Sequence, residues 1–380
     1  MFEGKLIVYR NEPLLHSLTK FGFNPIQLGV GFFLLVTVPL TIWAIAFDAS
    51  VDIENSGYVS YLENVSWSLS LIYIFPFIIG LTQKYYNEIP SLFDCLIKNT
   101  IKPPNEAALT EFRVRVDRRF NHYAPQVTII TVTLILNAIY FYQIMNETAA
   151  KQGWMTVGNI FQEALSTVNG MTTIGIAAGC VQIVLIYWVL SFIYKSFVFA
   201  WSLYGFFANR QLDIQLDPLH SDGVCGLRRV AYISTLQAVI LFLLGIYLSL
   251  KVIDKSLIQE ISIFSDIGNP IMLGSYALLA PLMFFLPMAS AHKLMQETKD
   301  SFLQRLTKKT WQMIDEAYRT DDVFKSAECL QLVKDLEKLH SKFNGKIPIW
   351  PFNVRTLQGF FGSVLVPLIP LSIPVIIDIL

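Results

Sequence analysis

Between Asp217 and Cys225 the chain places two carboxylates, an imidazole and a thiol: Asp217, His220, Asp222 and Cys225. Those are the atoms that ligate zinc and other borderline divalent metals. Their spacing matches no recognised ligand pattern, and an Asp-Gly turn at Asp222-Gly223 accounts for the same residues as solvated polar groups. No metal and no cofactor is therefore expected. Farther upstream, "EFRVRVDRRFNHY" carries Arg113, Arg115, Arg118 and Arg119, and clustered guanidinium groups make bidentate contacts to anions. Leu109 just before it and Phe112, Val116 and Phe120 within it fall at helical spacing, so a basic helix lying on anionic lipid is the expected reading. The alternative is a nucleotide-like anionic ligand.

A third stretch, "STVNGMTTIGIAAG" over Ser166–Gly179, has the order of a potassium filter, in which successive backbone carbonyls replace an ion's hydration shell. The second filter glycine is missing, because Ala177 stands in its place and alanine avoids the left-handed backbone that glycine tolerates. Gly175 and Gly179 instead form a small-xxx-small pair suited to close helix packing. The stretch is thus expected to be the outer entrance of a membrane helix, with Thr172 and Thr173 nearest any central axis.

The elements that must position these residues are apolar. Hydrophobic residues make up 53% of the 380 and charged ones 15%, which removes the chain from the soluble class. Stretches near 26–47, 65–82, 124–145, 176–206, 231–250, 271–290 and 357–377 are each long enough to cross a hydrocarbon core about 30 Å thick. Of the 29 lysines and arginines, 26 fall in 1–25, 83–123, 195–230 and 291–356. The positive-inside rule then puts the N-terminus in the cytoplasm and the C-terminus outside. The first run lacks a small-residue cleavage site and is expected to stay as an anchor. The four cysteines imply no disulfide framework.

The expected fold is all-α: a polytopic membrane helix bundle of about seven transmembrane helices with a cytoplasmic helical hairpin. Residues 1–290 form a six-span membrane domain carrying the basic helix 106–122 and the loop 210–230. Residues 291–350 form the hairpin and 351–380 the last span. In the hairpin, Leu303, Leu306, Thr310, Met313 and Ala317 make one stripe, and Cys329, Leu332, Leu336, Leu339 and Phe343 a second, each at the alternating three and four spacing of a helix face.

Two segments carry a resemblance. Leu216, Pro218, His220, Asp222, Gly226 and Leu227 follow a form L-x-P-x-H-P-D-x-x-G-G-L, with Ser221 for the second proline and Cys225 for the first glycine of the pair. "IPIWPFNVRTLQGFF", Ile347 to Phe361, follows W-P-F-D-x-R-T-L with Asn353 for the acid. The chain thus resembles a group of uncharacterised bacterial multi-pass inner-membrane proteins. The resemblance implies a bacterial inner-membrane location and a long tryptophan-bearing fourth span, and no activity.

No enzyme is expected, because the spans hold no acid before Asp378, no core histidine and no serine nucleophile motif, and a membrane enzyme needs such groups in its bundle or at its rim. The same shortage weakens proton-coupled transport. Asn137, Gln182 and Gln237 are span residues able to line a hydrated path, with Thr172, Thr173 and Gly175 at its outer mouth. Lys195 lies at the inner end, where it is expected to reach the headgroups. An oligomeric ion channel gated from the cytoplasm follows as the leading expectation, suited to a stress or antiviral-defence effector. Its gating candidates are the four arginines together with His220, Asp222, Arg228 and Arg229. The alternatives are a non-catalytic scaffold presenting the hairpin and loop to a cytoplasmic protein, and a solute transporter. Expected partners are the bilayer, further copies of the chain, and a cytoplasmic protein or anionic ligand, with no double-stranded nucleic acid.

Overall fold

A computed structural model describes residues 8, 10, 12, 22–48, 64–100, 106–147, 173–218, 220, 222–253, 268–319, 323–351, 357–358 and 360–362. These residues are almost entirely helical. Helix α1 runs Pro25–Phe32, continues through a π turn at Phe33–Thr37 and ends with Val38–Asp48. Helix α2 is built the same way, Val65–Leu69, a π turn at Ser70–Ile74, then Phe75–Thr100. Then follow α3 Glu106–Phe120, α4 Tyr123–Glu147, α5 Thr173–Phe207, α6 Arg228–Ile253, α7 Gly268–Arg319 and α8 Val323–Lys346. Among the described residues, six helices are long and apolar enough to cross a membrane, and they coincide with the first six expected spans. The seventh, 357–377, lies almost wholly outside the described residues.

The start of α1 is written in its sequence. Asn24 accepts from the Gln27 N–H at 2.8 Å, and the Gln27 side chain accepts from the Asn24 N–H at 2.9 Å. Pro25 fills the first helical position, completing a reciprocal cap with a residue whose missing N–H costs nothing there. Helices α1 and α2 then cross at two glycines. A Cβ on Gly29 would lie 2.8 Å from the Pro76 carbonyl oxygen, and one on Gly80 would lie 2.8 Å from that of Pro25. Only hydrogen fits at either place. Farther along, the two π turns pack together, and Thr37 Oγ1 donates to the Leu71 carbonyl at 2.9 Å. The π turn directs the Phe75 N–H to the Ser70 carbonyl, and Pro76 has no N–H to offer, which leaves the Leu71 carbonyl for a side chain.

The centre is aromatic. Phe93 of α2, Phe112 of α3 and Phe206 of α5 meet in edge and tilted pairs with centroids 5.4–6.3 Å apart, the arrangement that ring quadrupoles favour. Tyr85 joins this core against Phe192 and Phe199. The stripe expected on the basic helix, Leu109, Phe112, Val116 and Phe120, is the buried face of α3.

Helix α7 continues without a break through the position where the sixth span was expected to give way to the hairpin. It packs against α8 in antiparallel register: Lys299 Nζ donates to the Asn344 carbonyl at 2.6 Å, and the Phe302 and Phe343 rings meet edge-on at 5.5 Å. The chain then comes back along α7, where Trp350 stacks on His292 at 4.0 Å and Phe360 on Phe284 at 3.9 Å. The first stripe faces inward as expected. In the second, Cys329, Leu336 and Phe343 face inward as expected, but two places shift by one: Val333 is 7% exposed, whereas Leu332 and Leu339 are 44% and 40% exposed. A three-four alternation leaves two adjacent rows open to the partner helix, and α7 takes the row containing Val333 and His340.

Candidate functional site

Helix α5 is apolar along nearly all of its length, and one charge interrupts it. Lys195 lies about 33 Å along the helix from Thr173, at ~1.5 Å per residue. Its side chain is 0% exposed, and its Nζ stands 3.1 Å from Oε1 of Glu12, whose side chain is 1% exposed. The ammonium also donates to the Val8 carbonyl and, at 3.4 Å, to that of Phe120. Ser191, one turn before it, donates to the same Glu12 oxygen at 2.6 Å. The Tyr86 ring lies against the ammonium, 5.7 Å from centroid to Nζ, within the range of cation–π attraction.

This corrects the expectation that Lys195 reaches the headgroups. Carbonyls from the N-terminal segment and from the end of α3, with the Glu12 carboxylate, satisfy the ammonium inside the bundle. Residues 8, 10 and 12 form the strap that holds the carboxylate there: Val8 is buried, Arg10 pairs with Asp117 of α3, and Glu12 meets Lys195. The strap therefore joins α3 and α5 through two ion pairs, one partly exposed and one sealed.

Around the sealed pair the polar groups are mostly donors. Tyr86 and Tyr187 both feel the Glu12 charge, and Tyr187 donates to Gln126 Oε1 of α4 at 3.2 Å. The Tyr86 and Tyr85 hydroxyls face Ser191 and Ser196 without closing a hydrogen bond, and Gln126 Nε2 is likewise buried with no partner. Leaving such groups unpaired costs about 1–3 kcal/mol each, so a cluster of them marks a site rather than packing.

Of the described pore-lining candidates, only Lys195 belongs to this cluster. Asn137, Gln182 and Gln237 are buried on α4, α5 and α6, and among the described residues none is hydrogen-bonded to Lys195. Asn137 donates to Thr133 of its own helix, while both side-chain ends of Gln237 are unpartnered. Thr173 begins α5, so Thr173–Gly179 is helix with Gly175 and Gly179 buried in it. Thr172 and the rest of the filter-like stretch lie outside the described residues.

The gating candidates divide into two groups. On α3, Arg115 pairs with Glu111 one turn away, Arg119 lies over the Trp201 ring at 6.0 Å, Arg113 is partly buried and Arg118 is exposed. They point to different neighbours. The loop after α5 is instead gathered around Asp222, which caps α6. Its Oδ1 accepts from the Val224 and Gly226 N–H groups at 3.0 and 2.9 Å, its Oδ2 accepts from the Arg228 N–H at 3.2 Å, and His220 Nδ1 lies 2.9 Å away. Arg229 donates to the Ser91 carbonyl at 3.0 Å and the Gln215 N–H to that of Thr100 at 2.7 Å, which fastens the loop to α2. Cys225 takes the left-handed backbone at φ 58°, the conformation that suits the glycine of the L-x-P-x-H-P-D-x-x-G-G-L form. Burial, helped by the Asp222 and Asp217 charges, pushes its thiol up to about 11, so it stays protonated and inert. Among the described residues no three His, Cys, Asp or Glu side chains gather as a metal site.

Burial by itself would raise the Asp222 carboxyl, but the N–H groups of Gly226, Val224 and Arg228 and the His220 ring outweigh it and hold it below the usual carboxylate range. A folded value below the unfolded one means that its stabilisation is complete above the unfolded value and is lost as pH falls through the folded one. Asp222→Ala is therefore expected to cost about 1–2 kcal/mol at neutral pH, the range for a helix cap. Thermal unfolding over an acid series should show the wild type converging on the variant only at the lowest pH.

No family model, curated protein or solved structure matches this chain. Its function must be read from the strap and the pair that the strap seals.

Glu12, Ser191 and Tyr86 are absent from the residues that sequence reasoning singles out. The one available signal is Lys195 itself, a charge deep in an apolar run whose own helix offers it no acid.

Proposed function

We propose that this chain is an ion channel of the bacterial inner membrane, gated at its cytoplasmic side by its own N-terminal strap. The observation that carries the reading is the Glu12–Lys195 pair, sealed from solvent among unpartnered hydroxyls. Ionisable groups inside a membrane bundle are expensive, and replacing such a pair with apolar side chains costs little or even stabilises. Its presence therefore argues for a path that must be closed and opened. With the basic segments in the cytoplasm, Lys195 lies about one hydrocarbon thickness from the outer end of α5, which puts the strap at the inner mouth. Such a latch suits an effector held shut until a cytoplasmic trigger, in stress or phage infection, frees the strap. Further copies of the chain would complete the assembly.

The test is charge reversal. Glu12→Lys sets two ammonium groups against each other and expels the strap. Reconstituted in vesicles, the variant should collapse an imposed potassium diffusion potential at least about tenfold faster than the wild type, the factor that a ~1.4 kcal/mol change in gating gives. Rates for both proteins equal to those of empty vesicles would sink the reading.

A further inference from the structure

The groups that hold the Glu12 carboxylate describe an ion as well as a gate. Lys195 Nζ and Ser191 Oγ donate to it at 3.1 and 2.6 Å, and the Tyr86 ring adjoins the ammonium. The Tyr86 hydroxyl, which feels the Glu12 charge, is buried there without a hydrogen-bond partner. Among the described residues, Glu12 is the one carboxylate paired with Lys195. With the strap withdrawn, a buried cation and a set of hydroxyl donors remain, facing a volume that a carboxylate had filled. A metal cation would meet the Lys195 charge there with no anionic ligand, whereas a small anion would inherit every donor that Glu12 leaves.

We propose that the Glu12 carboxylate occupies a binding site for a small monovalent anion of the chloride class, formed by Lys195, Ser191 and Tyr86, and that strap and anion compete for it. This names the ion for the channel reading and rests on it for any statement about conduction; the binding site itself is independent of it. Competition also supplies a regulatory logic: anion arriving at the site favours the strap-free state, because only that state can bind it.

Two measurements on the full-length protein in detergent test the site, each comparing sodium chloride with sodium gluconate at equal ionic strength, since gluconate is too large to follow a carboxylate oxygen into the cavity. Glu12→Gln keeps the shape and an acceptor oxygen for Lys195 but removes the charge. Chloride should raise its unfolding midpoint by about 2–4 °C over gluconate, and the shift should vanish in Glu12→Gln/Lys195→Met. The second measurement needs no variant: tryptic cleavage of the wild type after Arg10, which is exposed on the strap, should run several-fold faster in chloride. Equal midpoints and equal cleavage rates in the two salts overturn the site, as does a chloride shift that persists without Lys195. Chloride binding with no ion flux from Glu12→Lys would sink the channel reading and leave the anion site standing. Potassium flux without any chloride effect would do the reverse.

Discussion

Glu12→Ala is expected to destabilise the protein by about 3–5 kcal/mol, the usual loss when one member of a buried ion pair is removed and the other charge is left behind. Lys195 cannot escape along its own helix, because the Val8 and Phe120 carbonyls and the Tyr86 ring close around it. Glu12→Ala/Lys195→Met should recover most of the loss, since the apolar replacement needs no partner and fits the aromatic surroundings. The double-mutant cycle then isolates a coupling energy for residues in direct contact. A limit applies: once removing Glu12 costs more than undocking the strap, the strap leaves and water reaches Lys195. In that regime the unfolding loss levels off and cleavage after Arg10 becomes fast. Denaturation of the four proteins in detergent, read beside tryptic digestion, gives both numbers. A Glu12→Ala loss under about 1 kcal/mol with the strap still protected would show that the pair is not sealed.

The second large effect is expected where α1 crosses α2. Gly80→Ala puts a methyl 2.8 Å from the Pro25 carbonyl oxygen, and Gly29→Ala does the same at Pro76. The obstructing atoms are backbone, so the helices themselves must move apart, and overpacking of this kind costs about 1–3 kcal/mol. Gly80→Leu should prevent the crossing altogether. Because either alanine already separates the helices, Gly29→Ala/Gly80→Ala should cost less than the two losses added. Gly31 is the control, since a Cβ there meets nothing within 4 Å. Gly31→Ala should be neutral, or stabilise by up to about 1 kcal/mol through helix propensity. Thermal unfolding in detergent ranks these variants, and equal losses at Gly31 and Gly80 would remove the close crossing from the account.

Gly29 and Gly80 lie in separate apolar runs, and nothing local distinguishes Gly29 from Gly31 two positions on. Which one touches a neighbour depends on how α1 is rotated, and packing sets that rotation. The two shifted places on α8 have the same cause: period alone allows Leu332 or Val333 to face inward, and packing against α7 chooses Val333. Asp222 is an intermediate case: the Asp-Gly turn is legible locally, but that its carboxylate gathers the N–H groups of Val224, Gly226 and Arg228 is seen only in the fold.

Read along one dimension, the chain is already helical and already holds seven apolar stretches of bilayer length, the first six of which are helices among the described residues. Hydropathy and local backbone preference are properties of neighbouring residues, so they need no knowledge of the fold. Lys195 likewise stands out unaided as a charge in a greasy helix, although the sequence by itself sends it to the headgroups. That the partner is Glu12 emerges only in three dimensions, because a pairing between residues so distant in the chain depends on which elements come together and not on the residues beside either one. The physical reason is the cost of burying one charge alone: it demands compensation without specifying its source. The fold supplies that compensation from an N-terminal segment whose basic residues had marked it only as lying on the cytoplasmic side of the membrane.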